Sequence, residues 1–588
     1  MKNKFWFLLV IVCLLLITTI SAEEIDNSLK FSAMETKYLS TDVVIETPLY
    51  LSGYKENDEF TYRTAIFSNN HSQAVEMEAY YLDENNNKVF AEIITENENR
   101  YAIFKVRPIK RSEYVFYISG SIVSENKIIF NNLDHSLENI GEEEKEFIKS
   151  TRFIQSNSLE IMTIAKYLKT TDNTLENIVN VTNWVHDYLE YDYAYVDVVH
   201  DSKRILSDKK GVCDEFAILQ AAILRAQGYP VKYVVGYANT SQEWGPHAWL
   251  EVYLPNQGWI PVDPTYNEVG FVDSSHVVLE RLKDPIESKD SVTATSNLEI
   301  RFGEKKHNFK NKEAISYEER GYKDILKMKM NYTKDNLTTS PFVTKLSLQN
   351  TTQNPLTILV VSQISEDFKQ IFPKSRKKVY YLGPFEEKTV DYFFILPNLN
   401  NSYTYGFGFS SQLGEITEYV NIHRNKGIYQ ELFLVRPPNL YFRENNFYFE
   451  QNIFNYTDKD KNLNFEFYFN EQKIVDSKNI SKKTETTYIQ EFPIVEDANF
   501  SYLISGDYSF SGNTVFYKEI EQIENIKKVI DSNYEDVNDY GKLFNQIESK
   551  RIDEKSELNY FVVVFVVIFI LFIMFLFVSK SIKKQGIQ

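Results

Sequence analysis

Residues 560–578 form nineteen consecutive positions without a charge, and this run constrains the chain's topology more than any other feature. Its length matches the roughly 20 residues that carry a helix across a bilayer core, so a transmembrane helix is expected over 559–579. Lys580, Lys583 and Lys584 follow at once. Positive flanks stay on the cytoplasmic side, which places the tail 580–588 inside and the bulk of the chain outside. At the other end, Lys2 and Lys4 precede an apolar run over 5–20, and small Ser21 and Ala22 precede acidic Glu23 and Glu24. This is the pattern of a secretory signal, read as cleaved after Ala22 (1–22); an uncleaved anchor is the alternative. The expectation is a single-pass, type I protein of the cell membrane with an extracellular ectodomain. Asn70, Asn180, Asn239, Asn331, Asn336, Asn350, Asn400, Asn455, Asn479 and Asn499 each open an Asn-x-Ser/Thr triplet. That is the acceptor pattern of an exported glycoprotein, although asparagine is frequent enough here for several triplets to arise by chance.

Between the two ends lie about 535 residues, enough for three to five domains at about 100–200 residues each. The formal charge of −18 argues against a nucleic-acid partner, because no basic face of any size offsets it. Of two cysteines, Cys13 leaves with the signal, so Cys213 stands alone in the mature exterior. A lone exported thiol is buried and inert, paired between molecules, or a reactive nucleophile.

Short alternating runs at 62–67, 79–82 and 114–118, separated by Asn, Asp and Glu clusters, predict a β-sandwich over 23–141. Over 142–285 the spacing turns helical, with Ile154, Leu159, Ile161, Met162, Ile164 and Ala165 followed by a second helix near 178–189. This α+β segment holds Cys213. Strand patterns return at 343–348, 356–361, 380–382 and 392–396, predicting an Ig-like β-sandwich over 286–430. The alternation of Leu463, Phe465, Phe467 and Phe469 predicts another over 431–518, and Ile520, Ile523, Ile526 and Ile530 mark a helical stalk over 519–558. The fold class expected is a multidomain α+β chain with β-sandwiches on both sides of its core.

Residues 211–217 read Gly-Val-Cys-Asp-Glu-Phe-Ala and open an apolar-periodic helix with Phe216, Ala217, Leu219, Ala222, Ile223 and Leu224, closed by Gly228 and Pro230. Cys213 therefore sits at a helix N-terminus, where unpaired N–H groups and the helix dipole favour a thiolate. Asp214 and Glu215 suit a first helical turn, either as dipole-matching surface residues or in a substrate role. Further on, 244–253 form an alternating strand carrying His247, which turns at 255–258 into 259–265 with Asp263. A histidine that takes the thiol proton and a carboxylate that orients the imidazole complete a nucleophile, base and orienter set. Pairing Leu254 with Trp259 sets Asp263 opposite Leu250, three residues from His247, so this register needs a bulge or strong twist to join them.

The stretches Gly211-x-Cys213, Leu224-Arg225-Ala226-Gln227-Gly228-Tyr229-Pro230, His247-Ala248-Trp249-Leu250-Glu251-Val252 and Trp259-Ile260-Pro261-Val262-Asp263-Pro264-Thr265 closely resemble the transglutaminase-like superfamily. The resemblance is confined to 142–285. It implies a papain-like cysteine-protease fold, with Cys213 as nucleophile, His247 as general base and acid, and Asp263 as orienting carboxylate. It also implies an oxyanion site made by the Cys213 N–H and an upstream side chain, for which Tyr191 is the candidate; packing is its other reading. Trp244 either roofs the cleft or covers the core.

Such a site attacks a peptide or protein carboxamide and forms a thioester, resolved by water (a peptidase or amidase) or by an amine (a cross-linker). Hydrolysis is slightly preferred. The partners expected are a protein or peptide substrate, the membrane through the C-terminal helix, and other cell-surface or cell-wall proteins. No Ca²⁺ loop or zinc-spaced His/Cys cluster is visible, so neither metal nor cofactor is expected. The alternative is a non-catalytic adhesion or scaffold protein that binds peptides with the same domain.

Overall fold

The computed structural model describes residues 34–516, except 54–57, 109–111, 128–139, 197, 241–242, 288–289, 295–297, 319–323, 444–445, 470–471, 494–497 and 507–509. The chain divides into two compact units, Met1–Lys518 and Glu519–Gln588. The signal, stalk and membrane helix expected from the sequence lie outside the described residues. Among the described residues, no helix is long and apolar enough to cross a membrane.

The central segment begins with two capped helices. In α1 (Leu159–Leu168), Ser158 accepts the Ile161 N–H at 3.3 Å, and Ile161, Ile164, Ala165 and Leu168 bury one stripe. In α2 (Thr174–Tyr188), the Asn173 side chain caps the Glu176 N–H at 3.0 Å. Each cap satisfies an N–H that the helix leaves unpaired. After α3 (Ser202–Asp208) comes α4 (Cys213–Ala226), buried at every position from Glu215 to Arg225. A helix that is apolar nearly all round belongs inside a protein, and α4 lies at the centre of this core. It ends in a Schellman motif: Tyr229 N–H donates to Leu224 O and Gly228 N–H to Arg225 O, both at 3.0 Å. Gly228 takes the left-handed φ of 93° that this ending requires.

Pro230 then releases the chain into an antiparallel sheet of β1 (Val231–Thr240), β2 (Glu243–Leu254), β3 (Gly258–Asp263), β4 (Glu268–Val269) and β5 (His276–Leu282). The spatial order is β4-β3-β2-β1-β5. Tyr233, Leu250, Val252 and Val262 face the helices, while Val234, Trp249 and Val278 form a small cluster of their own.

Paired sheets flank this core on both sides. The first pair shares one core built from Val43, Phe60, Tyr62, Phe104 and Phe116. It draws in strands Ser291–Ala294, Glu299–Phe302 and Lys306–Ser316, which pair with Phe60–Ile66 and Thr36–Ser52. These strands follow the central segment in sequence and fall within the span 286–430 expected to form the next sandwich. Their alternation is visible in the chain; their long-range partner is not. The second pair is built on Pro341–Asn350 and Leu356–Gln363, and the third on Asn446–Asn455 and Lys461–Phe469.

Candidate active site

Cys213 enters α4 behind a tight junction. A side chain at Gly211 would meet the Glu215 Cβ at 2.2 Å, so glycine is required for the chain to pass. Glu215 is fully buried, and its carboxylate accepts the Val212 N–H at 2.9 Å and the His200 N–H at 3.2 Å. Tyr233 donates to the Asp214 carboxylate. Glu215 is therefore not a surface residue: it braces the turn at Cys213 from inside, while Asp214 is only partly buried. Burial pushes the Glu215 carboxyl up to about 7.

The hairpin resolves the register problem. Leu254 pairs with Gly258 and Leu250 with Val262, one step from the expected pairing. The turn explains the step: Asn256 and Gly258 adopt φ of 65° and 80°, giving a three-residue loop of the bulged hairpin type. Continuing this register sets Asp263 across from Trp249, so Asp263 and His247 are diagonal neighbours on one face. A one-residue slip exchanges the faces of a strand. No bulge between β2 and β3 is needed.

His247 Nε2 meets Asp263 Oδ2 at 2.6 Å, with His247 93% and Asp263 fully buried. Asp263 Oδ1 accepts the N–H groups of Thr265 at 2.6 Å and Tyr266 at 3.1 Å. Because a carboxylate only accepts, His247 donates through Nε2 in its neutral form and keeps Nδ1 as a base. Burial alone would push the Asp263 pKa up, but the imidazoles of His247 and His276 hold it far below the usual carboxylate range. Cys213 is partly exposed and packs against the central core. Burial, with Asp214 and Asp263 acting in the same direction, pushes its thiol up, while hydrogen bonds from the Ala248 and Asp214 N–H groups oppose the rise. The helix terminus expected to favour a thiolate is thus opposed by burial and by two nearby carboxylates. The Ala248 contact brings β2 against Cys213 one residue from His247.

Tyr191 is 44% exposed. It is held beside the nucleophile by a two-residue parallel bridge in which Tyr191 pairs with Gly211. Its ring packs 6.0 Å from Phe216 and its hydroxyl oxygen faces the Cys213 backbone N–H. Trp244 goes elsewhere: its ring stacks on Phe309 at 4.9 Å, and its Nε1–H donates to Asn311 at 3.1 Å, against the first sandwich. Tyr266, which the sequence reading passed over, stacks on His247 at 5.0 Å. Its hydroxyl is buried and has no hydrogen-bond partner among the described residues.

A second histidine also escaped that reading. His276 Nε2 reaches the same Asp263 Oδ2 at 3.1 Å, and its Nδ1 lies 3.1 Å from Asp273 Oδ1. The available signal was a rare residue type, one of eight histidines in the chain, at the head of an apolar strand close after Asp263. His247, Asp263 and His276 place one ligand atom each within 4.8 Å of one another, as do Glu268, Asp273 and His276. The 2.6 Å separation of His247 and Asp263 is shorter than the roughly 3.3 Å between two ligands of one tetrahedral zinc ion. The first set is a hydrogen-bonded network. In the second, Glu268 accepts the Asp273 N–H at 3.0 Å, and burial raises its carboxyl well above the usual range.

A separate cavity of 1310 Å³ lies between α2 and the later sandwiches, lined by Trp184, Tyr188, Lys374, Arg436 and Tyr502 among others. It includes none of Cys213, His247 and Asp263.

Residues 162–264 match the model of the Transglutaminase-like superfamily. A protein-glutamine gamma-glutamyltransferase of Pseudomonas aeruginosa is 35% identical over 72 residues, covering 10% of this chain and 11% of that protein. The uncharacterized protein YebA of Bacillus subtilis is 31% identical over 109 residues, 16% of this chain and 13% of that one. The uncharacterized protein ML0607 of Mycobacterium leprae is 26% identical over 128 residues, 20% and 45% of the two chains. The chain spans about a tenth of the length of the first two relatives, so the likeness concerns this domain alone.

Proposed function

From a chain whose residues 162–264 are a transglutaminase-like domain, we propose a cell-surface thiol acyl-transfer enzyme acting on peptide or protein amides through Cys213, His247 and Asp263. The observation that carries this reading is the 2.6 Å His247–Asp263 pair, buried beside a cysteine that opens a helix. His247 Nδ1 takes the Cys213 proton, and sulfur attacks the carboxamide carbon. The oxyanion is met by the Cys213 N–H, with the Tyr191 hydroxyl as second donor. The imidazolium returns its proton to the departing amine, leaving a thioester that water or a second amine resolves. Hydrolysis is the outcome we favour, and the apolar runs at the chain ends support an outward-facing, membrane-anchored placement. The substrates would then be proteins or peptides of the cell surface or wall.

Because the thiol itself is pushed up, its reactivity must follow His247. Iodoacetamide labelling of Cys213, read on the isolated peptide, is expected to set in at a lower pH than for an ordinary thiol. His247→Ala and Asp263→Ala should both suppress it. A free-thiol profile indifferent to both changes would sink the enzyme reading.

A further inference from the structure

An imidazole lying between two carboxylates has only one way to satisfy both. Asp273 Oδ1 at 3.1 Å from Nδ1 and Asp263 Oδ2 at 3.1 Å from Nε2 are acceptors, so both ring nitrogens of His276 must carry protons. The side chain is completely buried, which makes it a fixed cation inside the protein. Asp273 is itself held: it accepts Ser275 N–H at 2.9 Å and the Ser275 hydroxyl, and its own N–H donates to Glu268 at 3.0 Å.

We propose that His276, anchored by Asp273, is a second positioning residue of the site: an imidazolium that shares Asp263 with His247 and neutralises part of that carboxylate's charge. This rests on the reading of Cys213 and His247 as the reacting pair. Asp263 Oδ2 accepts from both rings and Oδ1 accepts two backbone N–H groups, so its capacity for about four hydrogen bonds is filled and the carboxylate cannot turn.

The electrical consequence is as direct. A full negative charge 2.6 Å from His247 would favour an imidazolium before any thiol proton arrived, and would repel a thiolate on Cys213. A cation whose ring lies 5.3 Å from the His247 ring damps both effects. Every group facing His276 fits this account. Asp263 comes from β3 and Glu268 from β4, Asp273 from the loop before β5 and His247 from β2, while the rings of Trp249 and Tyr266 approach edge-on at 5.3 Å each. Among these acids, Asp263 and Asp273 touch the imidazolium directly, while the Glu268 carboxyl, pushed up by burial, acts from behind Asp273 by accepting its N–H.

The test is the pH profile of Cys213 iodoacetamide labelling in the full chain, read on the Cys213 peptide so that Cys13 does not contribute. His276→Gln keeps an N–H donor for Asp263 and removes the charge. Asp273→Asn leaves the imidazole in place and frees it to lose a proton, which keeps the question answerable where the first variant folds poorly. Loss of the cation should move the acid limb of labelling up by about 1 pH unit or more, more in His276→Gln than in Asp273→Asn. A role in packing alone would lower stability without moving that limb. A His247-dependent wild-type profile on which both variants superimpose overturns the role of His276 and leaves the proposed enzyme standing. A wild-type profile like that of a free thiol overturns both.

Discussion

At Glu215, burial sets the acidity of a carboxyl in the first turn of α4, and the pH dependence of stability follows. Its folded value of about 7 lies above the ordinary value of 4.5, so between these two pH values the folded protein holds a proton that the unfolded chain has released. The stabilising contribution is present below about pH 4.5 and is lost as pH rises through 7. Glu215→Gln keeps an acceptor for the Val212 N–H and removes the titration. Melting temperatures taken from pH 5 to 8 should fall less steeply in this variant than in the wild type, and parallel curves would contradict the assignment. At Gly236, paired with His247, an added Cβ would meet the Val277 carbonyl oxygen at 2.1 Å and the Trp249 ring at 2.6 Å. Gly236→Ala should cost about 1–3 kcal/mol in chemical denaturation, the range for overpacked cores. Tyr191→Phe removes only the hydroxyl beside the Cys213 N–H. A loss of about 10²-fold or more in kcat with KM preserved is expected of an oxyanion donor, whereas an unchanged kcat would leave Tyr191 a packing residue. Cys213, His247 and Asp263 could be singled out because each stands in a recognisable local setting, and the fold brings His247 and Asp263 together. His276 and Tyr266 could not, because their role comes from folding back onto Asp263, which no local pattern encodes.

Among the elements, the edges of the catalytic sheet are closed by side chains from neighbouring sheets. Gln73 bonds the N–H and C=O of Val278 at 2.7 and 2.8 Å, and Asn99 bonds those of Arg281, both at 2.8 Å. Each amide stands in for a residue of a missing strand along β5, covering groups that an open edge would expose. On the other side, Asn183 of α2 bonds Asn267 at 3.0 Å and the backbone of Val379, and Thr357 donates to Val269 at 2.5 Å. The loop after Asp263 is thereby tied to the following sandwich. The Asn-x-Ser/Thr triplets also take on a structural part. Asn350 is fully buried, donates to the carbonyls of Asn354 and Gly383 at 2.8 Å, and accepts from Thr352 N–H at 2.9 Å. Asn455 repeats the pattern with Lys459, Ile480 and Thr457. A glycan on either nitrogen would displace these bonds, so glycopeptide mapping should find both sites unmodified. Asn350→Ala should lower stability by about 1–3 kcal/mol by leaving buried carbonyls unpaired; equal denaturation midpoints would refute the brace. Strand patterns were legible from alternation, but the hairpin register was missed by one residue because the positive φ of Asn256 and Gly258 decided it.

For the molecule as a whole, the transglutaminase-like core is one module in a framework of sheets, and its contacts reach in both directions along the chain. Strands Ser291–Ala294 to Lys306–Ser316 return to the first sandwich, so the core is inserted between parts of a single sheet pair. That insertion was hidden because pairing between strands far apart leaves no trace in local alternation. Residues 142–285 expressed alone would lose the Gln73, Asn99 and Val379 contacts, and calorimetry should then show no single sharp unfolding transition; a cooperative transition would establish the core as independent. The account depends most on covalent chemistry at Cys213, and the most direct test is to trap it. The full chain is incubated with small glutamine-containing peptides, quenched in acid and digested, and the Cys213 peptide is weighed by mass spectrometry. An acyl adduct on Cys213, released by hydroxylamine and absent from His247→Ala, is predicted. Amide turnover that proceeds without an adduct and survives Cys213→Ala would contradict the account.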